Sequence, residues 1–226
     1  MMRNPIWFWT KEHSLSALLA ILIVHFFIFV PAAGKGMLVR LAADLALSTF
    51  LLAGLLSMAP GKLFMIPFSA FVVLGAVTHF ARFLFGVQDL VGWDFTFSTL
   101  GLAGVLVITL KMVYQAGPIT KHRILGAIAA HLMIAGLFGK VYAMINYLIP
   151  GAFDASHEFS RFSVEGTEDF LYFSVVALTT MGFGDITPVA PIARSFVMIE
   201  GLVGQLYPAV FIARLVSLSL AVKEGK

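Results

Sequence analysis

The chain has 226 residues, 60% of them hydrophobic and 12% charged, with a mean hydropathy of +0.96. No soluble core of this size needs so much apolar sequence, so the composition marks an all-α integral membrane protein. A formal charge of +3 is too small and too dispersed for nucleic-acid binding, and the lack of cysteine excludes disulfides, thiolate nucleophiles and Cys-ligated metals.

In chain order, Met1 to His13 carries Arg3 and Lys11 ahead of a long apolar run. No small-residue cleavage pattern follows, so this run is read as an uncleaved first span. Stretches long enough to cross a bilayer, roughly 20 residues each, occur about six times. They lie near Ser14–Pro31, Met37–Met58, Leu63–Phe85, Phe95–Tyr114, Arg123–Ile149 and Pro191–Val222. Ala59-Pro60-Gly61-Lys62, Gly117-Pro118 and Pro150-Gly151 end the second, fourth and fifth.

Basic residues set the orientation. With the N-terminus in the cytoplasm, Arg3, Lys11, Lys62, Lys111, Lys121, Arg123, Arg214, Lys223 and Lys226 fall inside. Lys35, Arg40, Arg82, Arg161 and Arg194 fall outside, and the excess predicts both termini in the cytoplasm.

Between the fifth and sixth spans lies a polar, acidic stretch, Asp154–Glu168. The apolar segment after it, Asp169–Thr179, is too short to span. It leads directly into Thr179-Thr180-Met181-Gly182-Phe183-Gly184-Asp185. A short helix followed by a glycine-rich extended string predicts a re-entrant loop, which at membrane depth requires protein or a water-filled cavity around it. The alternative for Asp169–Thr179 is an interfacial amphipathic helix. Four copies of such a string can replace the hydration shell of an alkali cation with a ring of backbone carbonyls. Gly182 and Gly184 permit the φ values that aim successive carbonyls one way, and Thr180 adds a hydroxyl oxygen at the inner end. Thr167 is read as the N-cap of the short helix, with Glu168 and Asp169 where the helix dipole favours negative charge.

These residues carry a resemblance. The last hundred or so residues resemble the pore module of tetrameric potassium channels: outer helix, pore helix, filter and inner helix. The layout is similar to bacterial six-transmembrane potassium channel subunits without a cytoplasmic ligand-binding domain. The resemblance is specific over Glu168–Arg194 and looser elsewhere. It implies K⁺ coordination by the carbonyls of Thr180, Met181, Gly182 and Phe183, with Gly184 completing the filter. Thr179, Tyr172 and Asp185 would support it. Met181 and Phe183 replace the valine and tyrosine commonest in the family, which puts filter rigidity and the strength of selectivity in question. Tyr172 can donate to Asp185, whereas Phe173 is read as simply packed. Val176 stands where some relatives carry a glutamate paired with the exit aspartate, so that pair is absent. Gly204 lies at the spacing of the family's hinge glycine, and Pro208 one turn on removes a helix hydrogen bond. Gly204 is read either as a gating hinge with Pro208 or as a site of close helix packing.

Ionisable residues inside spans are functional candidates. Lys140 and Glu200 both sit roughly 14 Å below the outer ends of the fifth and sixth spans, which predicts an intramembrane ion pair within or between subunits. Arg40 and Asp44 are spaced to pair on one helix face. His25, His79 and His131 lack metal-ligand spacing and read as core histidines. His157 lies among Asp154, Glu158, Glu165 and Glu168, which with Asp169 and Asp185 would form a negative external mouth. The fourth span has no repeated arginines, so steep voltage sensing is not expected.

The expectation is therefore six transmembrane helices, with a re-entrant pore helix and selectivity filter between the fifth and sixth. Residues 1–118 form a four-helix peripheral domain, voltage-sensor-like in number but without gating arginines, and 119–226 form the pore domain. No enzyme activity, no cofactor beyond K⁺ as the permeant ion, and no soluble partner are expected. The expected setting is a homotetramer in the cell (inner) membrane. Two channel readings stand open, potassium-selective or weakly selective for cations. From other classes, a secondary transporter would show paired interrupted helices, and no second filter-like string occurs. An intramembrane hydrolase would need a nucleophile motif, and no GxSxG serine occurs.

Overall fold

The computed structural model describes residues 14–29, 32, 62–115, 120–155 and 167–224. The expected second span, the Arg40–Asp44 pair, and His157, Glu158 and Glu165 of the external mouth lie outside the described residues.

The described chain is built from helices and one small strand pair. Helix α1 spans Ser14–Val24 and continues as a π turn over His25–Phe29. Helix α2 runs Lys62–Phe85 and α3 runs Val91–Tyr114. Helix α4 covers Lys121–Leu148, strand β1 Phe153–Ala155, and α5 Thr167–Leu178. Strand β2 is Ile186–Pro188, and α6 runs from Pro191 to Glu224. Three of these are long and apolar enough to cross a membrane: Val91–Tyr114, Lys121–Leu148 and Pro191–Ser217.

Punctuation in the sequence accounts for the helix ends. Thr120 caps α4, its hydroxyl accepting from the Arg123 amide at 3.4 Å. Pro191 opens α6, where a missing N–H costs nothing. The helix then continues through Pro208 without a break.

Helices α2 and α3 pack through small residues. A Cβ on Gly101 would lie 3.2 Å from Val72 Cα, and one on Gly75 3.1 Å from the Ser98 amide. Without lipid-driven hydrophobic association, such close backbone approach is what gains dispersion energy in a bilayer. Asp94 of α3 is buried beside Arg82 of α2, whose Nη1 donates to Oδ2 at 2.6 Å. His79 Nδ1 lies 3.2 Å from the same oxygen. The main apolar core joins Leu15, Leu18 and Leu22 of α1 to Val105 of α3 and Ala129, Ala130 and Met133 of α4.

The lower end of α6 is tied to the end of α3. Arg214 Nη2 donates to the carbonyls of Tyr114 at 2.7 Å and Gln115 at 3.1 Å, and Nη1 to Val113 at 3.3 Å. Its guanidinium also lies 4.7 Å from the centre of the Tyr114 ring. A cation at a helix C-terminus satisfies carbonyls that have no helical partner and opposes the negative end of the dipole.

Candidate functional site

The site sits at the junction of α4, α5 and α6, where the short helix α5 meets the string that follows it. Glu168 and Asp169 lie in the first turn of α5, as the dipole argument requires. An aromatic cluster holds the helix in place. Phe173 is buried edge-on against Tyr142 at 5.3 Å and Phe153 at 5.5 Å, and Phe170 meets Phe153 at 5.1 Å. Edge-to-face pairs add about 0.5–1.5 kcal/mol each beyond the area they bury. Helix α4 comes close at Gly139, where a Cβ would lie 2.9 Å from Leu171 Cα.

The string leaves α5 through two turn bonds. The Thr180 amide donates to the Ala177 carbonyl at 3.0 Å, and the Met181 amide to Val176 at 2.9 Å. The Thr179 hydroxyl turns back to the Val175 carbonyl at 2.6 Å. Beyond this the backbone alternates. Thr180, Gly182 and Gly184 have φ of 59°, 58° and 78°, and Met181 and Phe183 between them do not share the positive sign. In an ordinary strand successive carbonyls point to opposite sides. Reversing φ at every second residue lets alternate peptides turn over, the condition for successive carbonyls to be directed to one side.

The two glycines adopt this conformation at no steric cost. Thr180 does not: a β-branched residue in the left-handed region carries strain of about 1–3 kcal/mol. Sequence reasoning assigned the unusual φ values to the glycines and did not foresee Thr180 among them.

Asp185 closes the string. Its Oδ2 accepts from the Tyr172 hydroxyl at 2.6 Å, and Oδ1 accepts from the Ile186 amide at 3.0 Å. The Tyr172–Asp185 bond is the one expected from the sequence, and it links the outer end of the string to α5 without a glutamate at Val176. Accepting that bond, Asp185 pushes the Tyr172 hydroxyl up to about 12, so the phenol keeps its proton.

Two features were not foreseen. Strand β2, just after Asp185, pairs antiparallel with β1, placing Phe153 opposite Pro188, Asp154 opposite Thr187 and Ala155 opposite Ile186. The pairing continues as Val189 and Ala190 amides donate to the Ala152 carbonyl at 2.9 and 3.1 Å. At the inner end, Gln205 Nε2 of α6 reaches Thr180 Oγ1 at 3.4 Å.

Gly204 is buried where α6 passes the end of α5. A Cβ there would overlap the Leu178 carbonyl oxygen, so close packing by itself requires glycine at this position. His131 of α4 stacks on Tyr207 of α6 at 5.4 Å, and the Tyr207 hydroxyl donates to the Ala127 carbonyl at 2.9 Å.

The expected ion pair of Lys140 with Glu200 is not formed within the chain. Lys140 Nζ donates to Ser98 Oγ of α3 at 3.2 Å. Glu200 is fully buried and accepts from Tyr142 of α4 at 2.5 Å, with Ser174 of α5 at its other oxygen. The physical reason is azimuth. Residues 140 and 142 are separated by about 200° around a helix, so equal depth does not mean equal facing.

Among the described residues, no group of three or more His, Asp or Glu side chains is arranged to hold a metal ion. The oxygens the string itself offers are its backbone carbonyls, the threonine hydroxyls and the Asp185 carboxylate, the last already accepting from Tyr172 and the Ile186 amide.

Residues 130–219 match the protein-family model described as "Ion channel". The match begins within α4, contains α5 and the whole Thr179–Asp185 string, and ends within α6. It supports a passive, membrane-embedded ion channel. No curated protein matches the chain.

Proposed function

We propose that the chain is one subunit of a potassium-selective channel, in which four copies surround a single axis and Thr180–Gly184 of each lines the conduction path. The observation that carries this reading is the alternating sign of φ at Thr180, Gly182 and Gly184. It supports a row of carbonyls directed to one side, as needed to replace the hydration shell of a bare monovalent cation. K⁺ would be held by the carbonyls of Thr180, Met181, Gly182 and Phe183 and by the Thr180 hydroxyl. Thr179, Tyr172 and Asp185 would hold the string against α5.

Fourfold assembly is supported by what one chain leaves uncovered. Met181 and Phe183 are more than half exposed, as are Met198, Leu202, Leu206 and Val210 along one face of α6. A large apolar face of this kind is a contact surface. Copies of the chain around the string would cover Met181 and Phe183 and form the wall beneath them, with lipid outside.

The reading extends to six spans with residues 1–118 peripheral, and to both termini in the cytoplasm of the cell (inner) membrane. The part of α6 around Arg214 then lies inside and the β1–β2 pair outside. A gating bend in α6 falls to Pro208, because Gly204 is occupied by its contact with Leu178.

The test is the reversal potential of purified protein in a lipid bilayer, with K⁺ on one side and Na⁺ on the other. The expected result is a shift toward the K⁺ equilibrium value, with the selective current lost in Gly182→Ala. A substantial current reversing near zero would replace this reading with a weakly selective cation pore loosened at Met181 and Phe183.

A further inference from the structure

Glu200 is the largest charged-type side chain wholly removed from solvent among the described residues, and nothing in the conduction reading uses it. It stands where three helices meet. Tyr142 approaches from α4, Ser174 from α5, and the carboxyl itself comes from α6.

Counting hydrogens assigns its state. A serine hydroxyl has one proton to give. Ser174 Oγ lies 2.7 Å from the Ala135 carbonyl, which can only accept, so that contact takes the serine proton. Ser174 Oγ is also hydrogen-bonded to Glu200 Oε1. The proton for this second bond must come from the other partner. Tyr142 gives its single proton to Oε2. The complete assignment is Tyr142 O–H to Oε2, Oε1–H to Ser174 Oγ, and Ser174 O–H to Ala135 carbonyl.

We infer that Glu200 is a neutral carboxylic acid whose proton lets Ser174 tie α5 to α6 and to α4 at once, and that removing this proton costs α5 one of these two ties. With the proton present, every polar atom in the group is satisfied without a buried net charge. Without it, the group has two protons for three contacts, and Ser174 must abandon either Ala135 or Glu200. A half-satisfied buried network costs more than an apolar one. Glu200 is thus a positioning residue, acting on the string Thr180–Gly184 through the helix that carries it.

Among the described residues no basic side chain bonds to the Glu200 carboxyl. From α4 the facing titratable group is Tyr142, while Lys140 is turned to Ser98. From α5 Ser174 faces it, while Tyr172 is taken by Asp185. On α6 itself Arg194 is exposed and donates to the Pro188 carbonyl. This inference rests on the hydrogen-bond geometry and holds whichever ion the string selects.

The experiment is infrared difference spectroscopy at neutral pH on the purified full chain in lipid, comparing wild type with Glu200→Gln. Glutamine offers one acceptor and donors in the same places as the neutral acid. The expected result is loss of one protonated-carboxyl carbonyl band, with the wild-type melting temperature retained. Glu200→Leu, which leaves Tyr142 and Ser174 without their partner, is expected to melt lower. Raising the pH is expected to bleach the band and lower the melting temperature of wild type but not of Glu200→Gln. Loss of an ionised-carboxylate band instead, or a melting temperature of Glu200→Gln as low as that of Glu200→Leu, overturns the inference. Should Glu200→Gln not fold, Ser174→Ala decides. It removes the acceptor of the Glu200 proton, so the acid band must move to higher frequency, and an unmoved or missing band overturns the inference.

Discussion

Gly204 of α6 lies directly against the carbonyl of Leu178 at the end of α5, backbone to backbone. No side chain intervenes, so the position of one helix fixes the other. The obstructing atom is a main-chain oxygen, which cannot rotate away.

Gly204→Ala is therefore expected to cost about 2 kcal/mol or more through overpacking. The check is thermal unfolding of the purified protein, where the melting temperature should fall. Unchanged stability would mean that α6 can shift freely past Leu178. A hinge role for this glycine would then regain the support that the packing argument removes.

Tyr172→Phe removes the 2.6 Å bond to Asp185 and nothing else of the ring. A hydrogen bond to a charged group is worth about 1.5–3 kcal/mol. Phe183 has no hydroxyl with which to compensate at the same level of the string. The expected outcome is an unchanged open-channel conductance with faster decay of sustained current, read from macroscopic currents. Stable currents in the variant would show that the β1–β2 pairing alone suffices to hold the exit.

Lys140→Met should leave assembly and conduction intact. The ammonium has a serine hydroxyl as its contact, and a charge at membrane depth is costly to keep. Size-exclusion chromatography and bilayer recording together check this. Loss of the assembled form would reveal an essential role for the Lys140 charge that the Ser98 contact does not explain.

Arg214→Gln removes the bonds to Val113, Tyr114 and Gln115 and the stacking on Tyr114. A cation at a partly buried helix C-terminus is worth about 1–2 kcal/mol. Because this contact joins α3 to the far end of α6, the variant should alter single-channel open probability while leaving unitary conductance unchanged. A change in conductance without a change in open probability would contradict that division.

The elements most legible in the sequence were those set by periodicity, length and punctuation. Where the structure describes them, the expected spans agree with α2, α3, α4 and α6 to within a few residues, because Pro, Gly and Thr sit at their ends. The Tyr172–Asp185 bond was readable because both partners fall in the stretch Glu168–Arg194, where the resemblance is specific. Partners set by tertiary contact were not. Strands of three residues carry no period, so β1 and β2 were invisible. Depth arithmetic placed Lys140 and Glu200 at the same level but gave no information on which way either faced. Thr180 was misjudged because propensity forbids what the two turn bonds after α5 impose.

The short strand pair has one more meaning. Ala155 is fixed opposite Ile186, and α5 begins at Thr167. Ile186, the residue next to Asp185, is thereby held by the strand that follows α4, so the outer end of the string answers to α4 through β1 and to α5 through Tyr172.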